Sequence, residues 1–491
     1  MSKFFITTPI YYINSTPSVG SAYPTIIADV VARWHRLLGE DTFFLTGLDE
    51  NSVKTVQAAK QGNFKDIKEY ADVMAEKWKR AWTILNVSHD DFIRTTEGRH
   101  EKNVENFFNK VYKKGDIYRG EYEGLYCEGC EVFLTESELV NGECPLHKKP
   151  PKKIREENYF FKLSKYQDKI LELIQAENYI EPTSRKNEVV NFIKEGLKDI
   201  SISRPNIGWG ITLPIDKKHK FWVWFDALIN YLVDERYWPV DVHIIGKDIT
   251  RFHCVIWVGM LLSAGYKIPK KIFAHGFFTI NGQKMSKSLG NVVDPVYLAE
   301  KYSVDAVRYF IIREIPTGQD GDFSEEALKT RVNTELVANI GNFIHRVLIL
   351  VKKLNGGKIP KPGNLDERDQ SILDLIETKQ EVVEDLMEQF KLKESLEEIL
   401  GFSTELNRYL SEREPWKEKD ANRINNCLYI CSRAITALSI LLYPFIPGTV
   451  EKLLLQIGIE NKTITWGKIG QELLKPGFEV GEIKPLFEKI T

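Results

Sequence analysis

Histidine is scarce in this chain: there are nine in 491 residues, and none precedes His35. Chemistry carried by the first loop must therefore do without an imidazole. Cysteine is scarcer still. The six, Cys127, Cys130, Cys144, Cys254, Cys427 and Cys431, are too few for a disulfide scaffold. An excess of one charge is missing, since 67 Lys and Arg stand against 69 Asp and Glu for a net −2. No global basic field exists, so a nucleic-acid partner must be met by a local patch. No run of about 18 uncharged apolar residues occurs, so no membrane span is expected. The N-terminus, MSKFFITTPIYYIN, has one lysine and no apolar core ending in small residues, so no signal peptide is expected. What is present is ordinary for a globular protein: 43% hydrophobic and 28% charged residues. At roughly 150 residues per domain, the length suggests about three domains of a cytoplasmic enzyme.

The segment Lys3 to Ile13 is β-branched and aromatic and reads as a buried strand. A turn-rich stretch, Asn14 to Ser21, follows. Helical periodicity then runs from Thr25 to Leu38 and stops at Gly39. Asp41 to Leu45 reads as a second strand, ending in Gly47-Leu48-Asp49-Glu50. Strand, turn, helix, strand opens a parallel α/β sheet, whose ligands sit beyond the carboxyl ends of the strands. The stretch 116–219 interrupts this pattern with a cysteine cluster, a Lys/Pro-rich piece and a strand at Tyr159–Lys162, and reads as an insertion. Sheet character returns at Lys220–Phe225, Val242–Ile245 and Lys271–His275. Amphipathic segments at 325–353, 367–391, 395–413 and 420–443 then predict a helical bundle.

Two groups of residues carry chemistry by their own pattern. Cys127-Glu128-Gly129-Cys130 and Cys144-Pro145-Leu146-His147 form two knuckles that put three thiolates and an imidazole around one Zn2+. Four protein ligands leave no open position, so such a zinc is structural. Cys427 and Cys431, four apart on a helix, read as core residues. The second group is Asn281 to Asn291, a glycine-bounded loop after a strand. Its Lys284 and Lys287, with hydroxyl residues between and after them, suit a polyphosphate; the plainer alternative is a solvated basic loop.

Lys284-Met285-Ser286-Lys287-Ser288 spells the KMSKS signature of class I aminoacyl-tRNA synthetases. Along nearly its whole length the chain resembles the methionyl-tRNA synthetases. The matching pieces are Pro9 to Asn14, Trp224-Phe225-Asp226-Ala227, Ile245 to Ile249, the KMSKS loop and Glu414-Pro415-Trp416, and the cysteine knuckles sit where that family carries zinc. The resemblance implies activation of L-methionine with ATP and Mg2+, then transfer to the 3′ end of tRNA(Met). It implies that Lys284 and Lys287 steady the departing pyrophosphate. Gly20, Gly246 and Asp248 match ATP-binding positions. Asp49 matches the acid that binds the substrate ammonium, and Ile10, Tyr12, Trp224, Ala227, Leu228, Tyr231 and His275 match positions lining the side-chain pocket. Asn342, Arg346 and Trp416 match the anticodon readers.

The chain departs from the family in one place. The HIGH signature reads Ser18-Val19-Gly20-Ser21, with both histidines replaced, and Asp49-Glu50-Asn51-Ser52 has asparagine where many relatives have histidine. Serine donates hydrogen bonds but carries no charge. Two charged bonds replaced by neutral ones amount to roughly 2–4 kcal/mol, about 30- to 1000-fold in rate if nothing compensates. Ser18 and Ser21 are thus the expected catalytic donors of an active enzyme. The alternatives are an impaired synthetase-like protein that binds methionine or tRNA, and a class I synthetase for another amino acid. The insertion is too short for the editing domain of relatives specific for leucine, isoleucine or valine.

The expected architecture is a Rossmann-type sheet split by a zinc-knuckle insertion and followed by an all-α bundle. The expected domains are 1–115 and 220–280 for the two halves of the catalytic domain, 116–219 for the insertion, 281–335 for the KMSKS and stem-contact region and 336–491 for the anticodon-binding bundle. No appended dimerisation domain is visible, so a monomer is expected.

Overall fold

The computed structural model describes every residue except Met1, Cys130, Glu131, Thr135, Ser137, Glu138, Leu146, His147, Asn206, Ile207, Asn281, Ser286, Lys287, Ser288, Leu289 and Thr491. Of Tyr122, Glu123, Val132, Phe133 and Lys284 it describes the backbone only.

Six parallel strands make the central sheet. In spatial order they are β3 (Asp91–Arg94), β2 (Asp41–Asp49), β1 (Lys3–Tyr12), Val242–Gly246, Lys271–His275 and Ile180–Glu181. The order reverses between β1 and Val242–Gly246, where Ile6 pairs with Val242 and Thr7 with His243. Such a switch point opens a crevice beyond the carboxyl ends of the strands. One face is covered by helix α1 (Val19–Leu37), whose Val19, Ala22, Ile26, Ile27, Val30, Val31 and Trp34 are all buried. This face shares one apolar core with the C-terminal helices. A second core, with Phe107, Phe225 and Trp257, lies among the insertion-side elements.

Helix α1 starts at Val19, six residues before the expected Thr25. Ser18 is its N-cap, and Pro24 is accommodated inside it. Ser-x-x-Ser is a capping arrangement that overrides the helix-breaking signal of the proline.

The insertion contributes a four-stranded antiparallel sheet built on Ile117–Cys127 and Lys152–Phe161, with Val132–Leu134 and Ile200–Ser201 at its edges. Two expectations change here. The return to the central sheet at Lys220–Phe225 is not observed. Asp216–Phe221 is a strand of a small antiparallel sheet with Ser203–Pro205 and Thr212–Leu213, and Val223–Leu228 is a helix. A short run buried all round has no period to tell strand from helix. Conversely, Ile180–Glu181, inside the supposed insertion, pairs with Ile272 and Phe273 and closes the edge of the central sheet.

The expected helices follow: Glu325–Arg331 running through a π-helical stretch, Val332–Gly341, into Asn342–Leu354, then Glu367–Glu388, Leu392–Arg413 and Ala421–Leu442. By length and composition Glu325–Leu354 and Ala421–Leu442 match a bilayer span. The latter has 83% of its apolar window buried inside the protein, the signature of a core helix.

Candidate active site

The loop after β1 is pinned by helix α3 (Ile67–Ile84), which follows helix α2 (Val53–Gln61). Tyr70 donates its hydroxyl to the Ile13 carbonyl at 2.6 Å, and the Trp78 indole donates to the Ser15 carbonyl at 2.9 Å. Tyr11 stacks on Trp78 with ring centres 5.0 Å apart. The chain then enters α1. The Ser18 N–H donates to Ser21 Oγ at 2.9 Å, and Ser21 Oγ donates to the Ser18 carbonyl at 2.8 Å. The Ser21 hydroxyl proton is thus committed to the helix start.

The lysine loop reaches this first loop through the backbone. The Val19 N–H donates to the Val293 carbonyl at 2.9 Å. At its other end Lys284 pairs with Thr279 on the strand Phe278–Ile280, and Asp322 accepts from the Gly282 N–H at 2.9 Å. Lys287 and the Lys284 side chain lie outside the described residues. Gly246 faces His275 in register, and a Cβ there would lie 2.7 Å from Asp248 Oδ1, so a larger residue would push the Asp248 carboxylate aside.

Asp49 ends β2 and is 4% exposed. Its loop is held at every residue. The Asn51 N–H reaches Asp49 Oδ1 at 3.3 Å. Glu50, wholly buried, accepts from Arg94 at 2.7 Å and from Thr96, and its carbonyl takes the Trp209 indole N–H at 2.7 Å. Burial pushes the Glu50 carboxyl up, against the pull of Arg94 and Thr96. Asn51 Nδ2 donates to Asp226 Oδ2 at 2.8 Å.

The helix Val223–Leu228 supplies Trp224, Ala227 and Leu228, and the next turn supplies Tyr231. Ala227, Leu228 and Tyr231 are buried; Ile10 and Tyr12 are half-buried on β1. The Lys54 ammonium lies 4.3 Å from the Tyr12 ring centre. Two residues that the sequence reading overlooked join this group. Phe252 and His253 open a π-helical turn, Phe252–Ile256. Phe252 stacks on Trp224, centres 3.6 Å apart and planes within 4°. His253 Nε2 lies 2.7 Å from the Tyr231 hydroxyl, and its Nδ1 lies 3.0 Å from the Ile249 carbonyl. Burial drives the His253 pKa down to about 4, so it carries one proton at neutral pH. The carbonyl can only accept, which puts that proton on Nδ1 and makes Tyr231 the donor to Nε2. Thr7 Oγ1 meets His243 Nδ1 at 2.7 Å beneath the Tyr231 ring, whose centre is 4.2 Å from that of His243. His275 stands elsewhere: it backs Gly246, meets the Gly276 carbonyl through Nδ1 at 2.6 Å and takes Tyr23 edge-on. The only sequence signal for His253 was its place five residues after Asp248, in Arg-Phe-His.

In the insertion, Cys127 and Cys144 are buried together with Leu134 in a small cluster of their own. Cys130 and His147 lie outside the described residues; among the described residues no group of three or more metal-ligating side chains gathers. In the helical region Arg346 reaches the exposed Trp416, its guanidinium 5.2 Å from the ring centre. Asn342, one turn earlier, is exposed and donates to Asn407 Oδ1 at 3.4 Å.

The sequence pattern of the family described as tRNA synthetases class I (M) matches residues 4–153 and 137–348. That of the anticodon-binding domain of tRNA ligase matches residues 369–476. The methionine–tRNA ligase of Thermotoga maritima is 43% identical over 99% of this chain and 80% of its own length. The chain belongs to the class I methionyl-tRNA synthetases. Methionine–tRNA ligase of Brucella suis is 40% identical over 99% of this chain and 98% of its own. Among solved structures, Mycobacterium tuberculosis methionyl-tRNA synthetase in complex with methionyl-adenylate superposes with a TM-score of 0.96 at 38% identity, covering 99% of this chain and 100% of that one. The free-state form of that synthetase superposes at 0.87 and 36% identity, covering 100% and 99%. As a methionyl-tRNA synthetase, this chain thus has a backbone nearer the adenylate-bound relative than the free one.

Proposed function

We infer that the chain is a methionine–tRNA ligase. It activates L-methionine with ATP to methionyl-adenylate and pyrophosphate, then transfers methionine to the 3′-terminal adenosine of tRNA(Met). The observation that carries this is the full-length likeness to methionine–tRNA ligases, joined to a superposition of 0.96 on an adenylate-bound relative.

The roles of individual residues are our proposal. Methionine enters between β1 and the helix Val223–Leu228, with its ammonium on Asp49. Its thioether packs against Ile10, Tyr12, Trp224, Ala227, Leu228 and Tyr231, a soft atom against aromatic edges. His253 takes the pocket role expected of His275, because it is the histidine bonded to Tyr231. ATP, with Mg2+, lies over Gly20, Gly246 and Asp248 and meets the N-terminus of α1. Lys284 and Lys287 balance charge on the leaving pyrophosphate, so catalysis is positioning plus electrostatics. Ser18 supplies a donor from the first loop. Ser21, with its proton on the Ser18 carbonyl, acts by fixing that loop.

Zn2+ fits the insertion. Two cysteines buried in a cluster with two leucines are the donors such an ion needs, and Cys130 and His147 would complete a closed set. When bound, the ion supplies structure rather than chemistry. Asn342, Arg346 and Trp416 are proposed to read the anticodon by hydrogen bonds and stacking. The working form is proposed to be a cytoplasmic monomer.

Methionine-dependent ATP–pyrophosphate exchange, run against all twenty amino acids, tests the reading. Methionine should give the strongest exchange; no exchange, or a stronger response to another amino acid, overturns it.

A further inference from the structure

Asn51 touches two carboxylates at once. Its backbone N–H reaches Asp49 Oδ1 at 3.3 Å, and its side-chain Nδ2 donates to Asp226 Oδ2 at 2.8 Å. The same Nδ2 donates to the Thr95 carbonyl at 3.2 Å, which uses both amide hydrogens. Asp49 ends β2 and Asp226 sits on the helix Val223–Leu228, between Trp224 and Ala227. In the proposed site these two elements carry the ammonium-binding acid and the thioether-packing side chains, so one neutral residue ties the one to the other. Asp226 is 0% exposed. A carboxylate removed from water needs hydrogen-bond donors, and a donor that brings no charge leaves Asp49 as the negative group offered to the substrate. Thr95, from the end of β3, is itself fully buried and also holds the Glu50 N–H at 2.9 Å. Asn51 is therefore aimed from a rigid base.

We propose that Asn51 is a positioning residue for methionine: by donating to Asp226 it sets the spacing between Asp49 and the helix that carries Trp224 and Ala227. This rests on Asp49 being the ammonium site. The ligand class addressed is an α-amino acid zwitterion; the nucleotide side of the crevice is untouched, since Gly246 and Asp248 stand on another strand end.

Three variants of the full chain test it by steady-state pyrophosphate exchange. Asn51→Ala removes the donor. Asn51→Asp keeps the shape but places a third carboxylate beside Asp49 and Asp226. The double variant Asn51→Asp with Asp226→Asn reverses donor and acceptor. A hydrogen bond to a charged group translates into about a tenfold or larger change in affinity. Asn51→Ala should raise the methionine KM about tenfold while the ATP KM stays within about twofold. Asn51→Asp should be worse than Asn51→Ala, and the reversed pair should recover part of that loss, the Thr95 carbonyl remaining without its donor. A merely structural role disturbs the fold as a whole and shifts the methionine and ATP KM values together. Asn51→Asp no worse than Asn51→Ala, a reversed pair that recovers nothing, or equal changes in both KM values overturns the proposal. Asp49→Asn separates it from the reading beneath it. An unchanged methionine KM in that variant removes Asp49 from the ammonium site, whereas the order of the Asn51 variants still judges Asn51.

Discussion

Arg308 Nη2 donates to Asp29 Oδ2 at 2.7 Å, and both side chains are wholly buried. Asp29 lies on α1 of the parallel sheet, whereas Arg308 lies on the helix Val304–Glu314, after the lysine loop. The same guanidinium donates to the carbonyls of Pro444 and Phe445 at 3.1 Å, in the helical bundle, and of Leu85 at 3.2 Å, after α3. Arg33 Nε at 2.8 Å and the Ser88 hydroxyl and backbone N–H, each at 2.6 Å, complete the shell around Asp29. One ion pair thus joins sheet and bundle.

Breaking this pair by removing one charge should be costly. Arg308→Ala removes one of the two guanidinium partners of buried Asp29 and leaves the Leu85, Pro444 and Phe445 carbonyls without their donor, and a loss of about 3–5 kcal/mol is expected. Burial alone would raise the Asp29 carboxyl; Arg33, Arg308 and Ser88 outweigh it and hold it well below the usual range. A depressed carboxyl stabilises the fold above its unfolded pKa and loses that contribution as pH falls below about 3.9. Urea unfolding of Asp29→Asn across pH 2.5–6 checks this: its stability should fall less steeply than that of the parent below about pH 4.

Buried histidines set a higher acid limit. Burial lowers His253 to about 4 and His100 to about 3, and pushes His243 well down. Below about pH 6.5 the unfolded chain takes up protons that the folded one refuses. Each such histidine then removes up to about 1.4 kcal/mol per pH unit, with its full contribution present only above about pH 6.5. Thermal midpoints should drop steadily from pH 6.5 toward 4, and His100→Asn should flatten the slope. A midpoint unchanged over that range would contradict the assignment.

His253 should separate by which nitrogen is imitated. Glutamine keeps an acceptor near Nε2 for Tyr231, and asparagine keeps only the donor to Ile249. His253→Asn should raise the methionine KM about tenfold and His253→Gln appreciably less. Kinetics of pyrophosphate exchange decide it; the reverse order would sink the Nε2 contact with Tyr231 as the one that matters to the pocket.

Arg346→Ala and Trp416→Ala should each lower tRNA charging by about tenfold or more while methionine activation stays within about twofold, because stacking on a base contributes about 1–3 kcal/mol. Trp416→Phe should keep much of the charging. Equal loss of both activities rules out an anticodon role.

Elemental analysis should find about one zinc per chain. Cys127→Ser and Cys144→Ser should lower that content and destabilise the insertion. Parent protein purified without chelators yet free of zinc would refute the metal site.

Much of this architecture could be read from the residues. The strand Lys271–His275 has the expected bounds, and β1 and Val242–Gly246 differ by one residue at one end. Period-2 or continuous β-branched runs between turn residues define such strands locally. Helix starts were harder, because Pro24 hid the capping serines ahead of it. Val223–Leu228 was misassigned since its aromatic run is buried on all sides. The proposed pocket can be assembled from motifs at Asp49, Trp224 and Tyr231. His253 and Asn51 cannot be found that way, because their roles depend on partners 22 and 175 residues away. Arg308 was illegible for the same reason: nothing local in Val304–Glu314 tells an arginine that its acceptor lies 279 residues back.

The bond from the Val19 N–H to the Val293 carbonyl spans two loops that are remote in sequence. It ties the chain just after the lysine loop to the first turn of α1, while the Asp322 clasp on Gly282 ties the chain at its other end. Both ends of the loop are therefore moored to different parts of the fold, and a shift at the start of α1 is carried directly to the backbone at Val293.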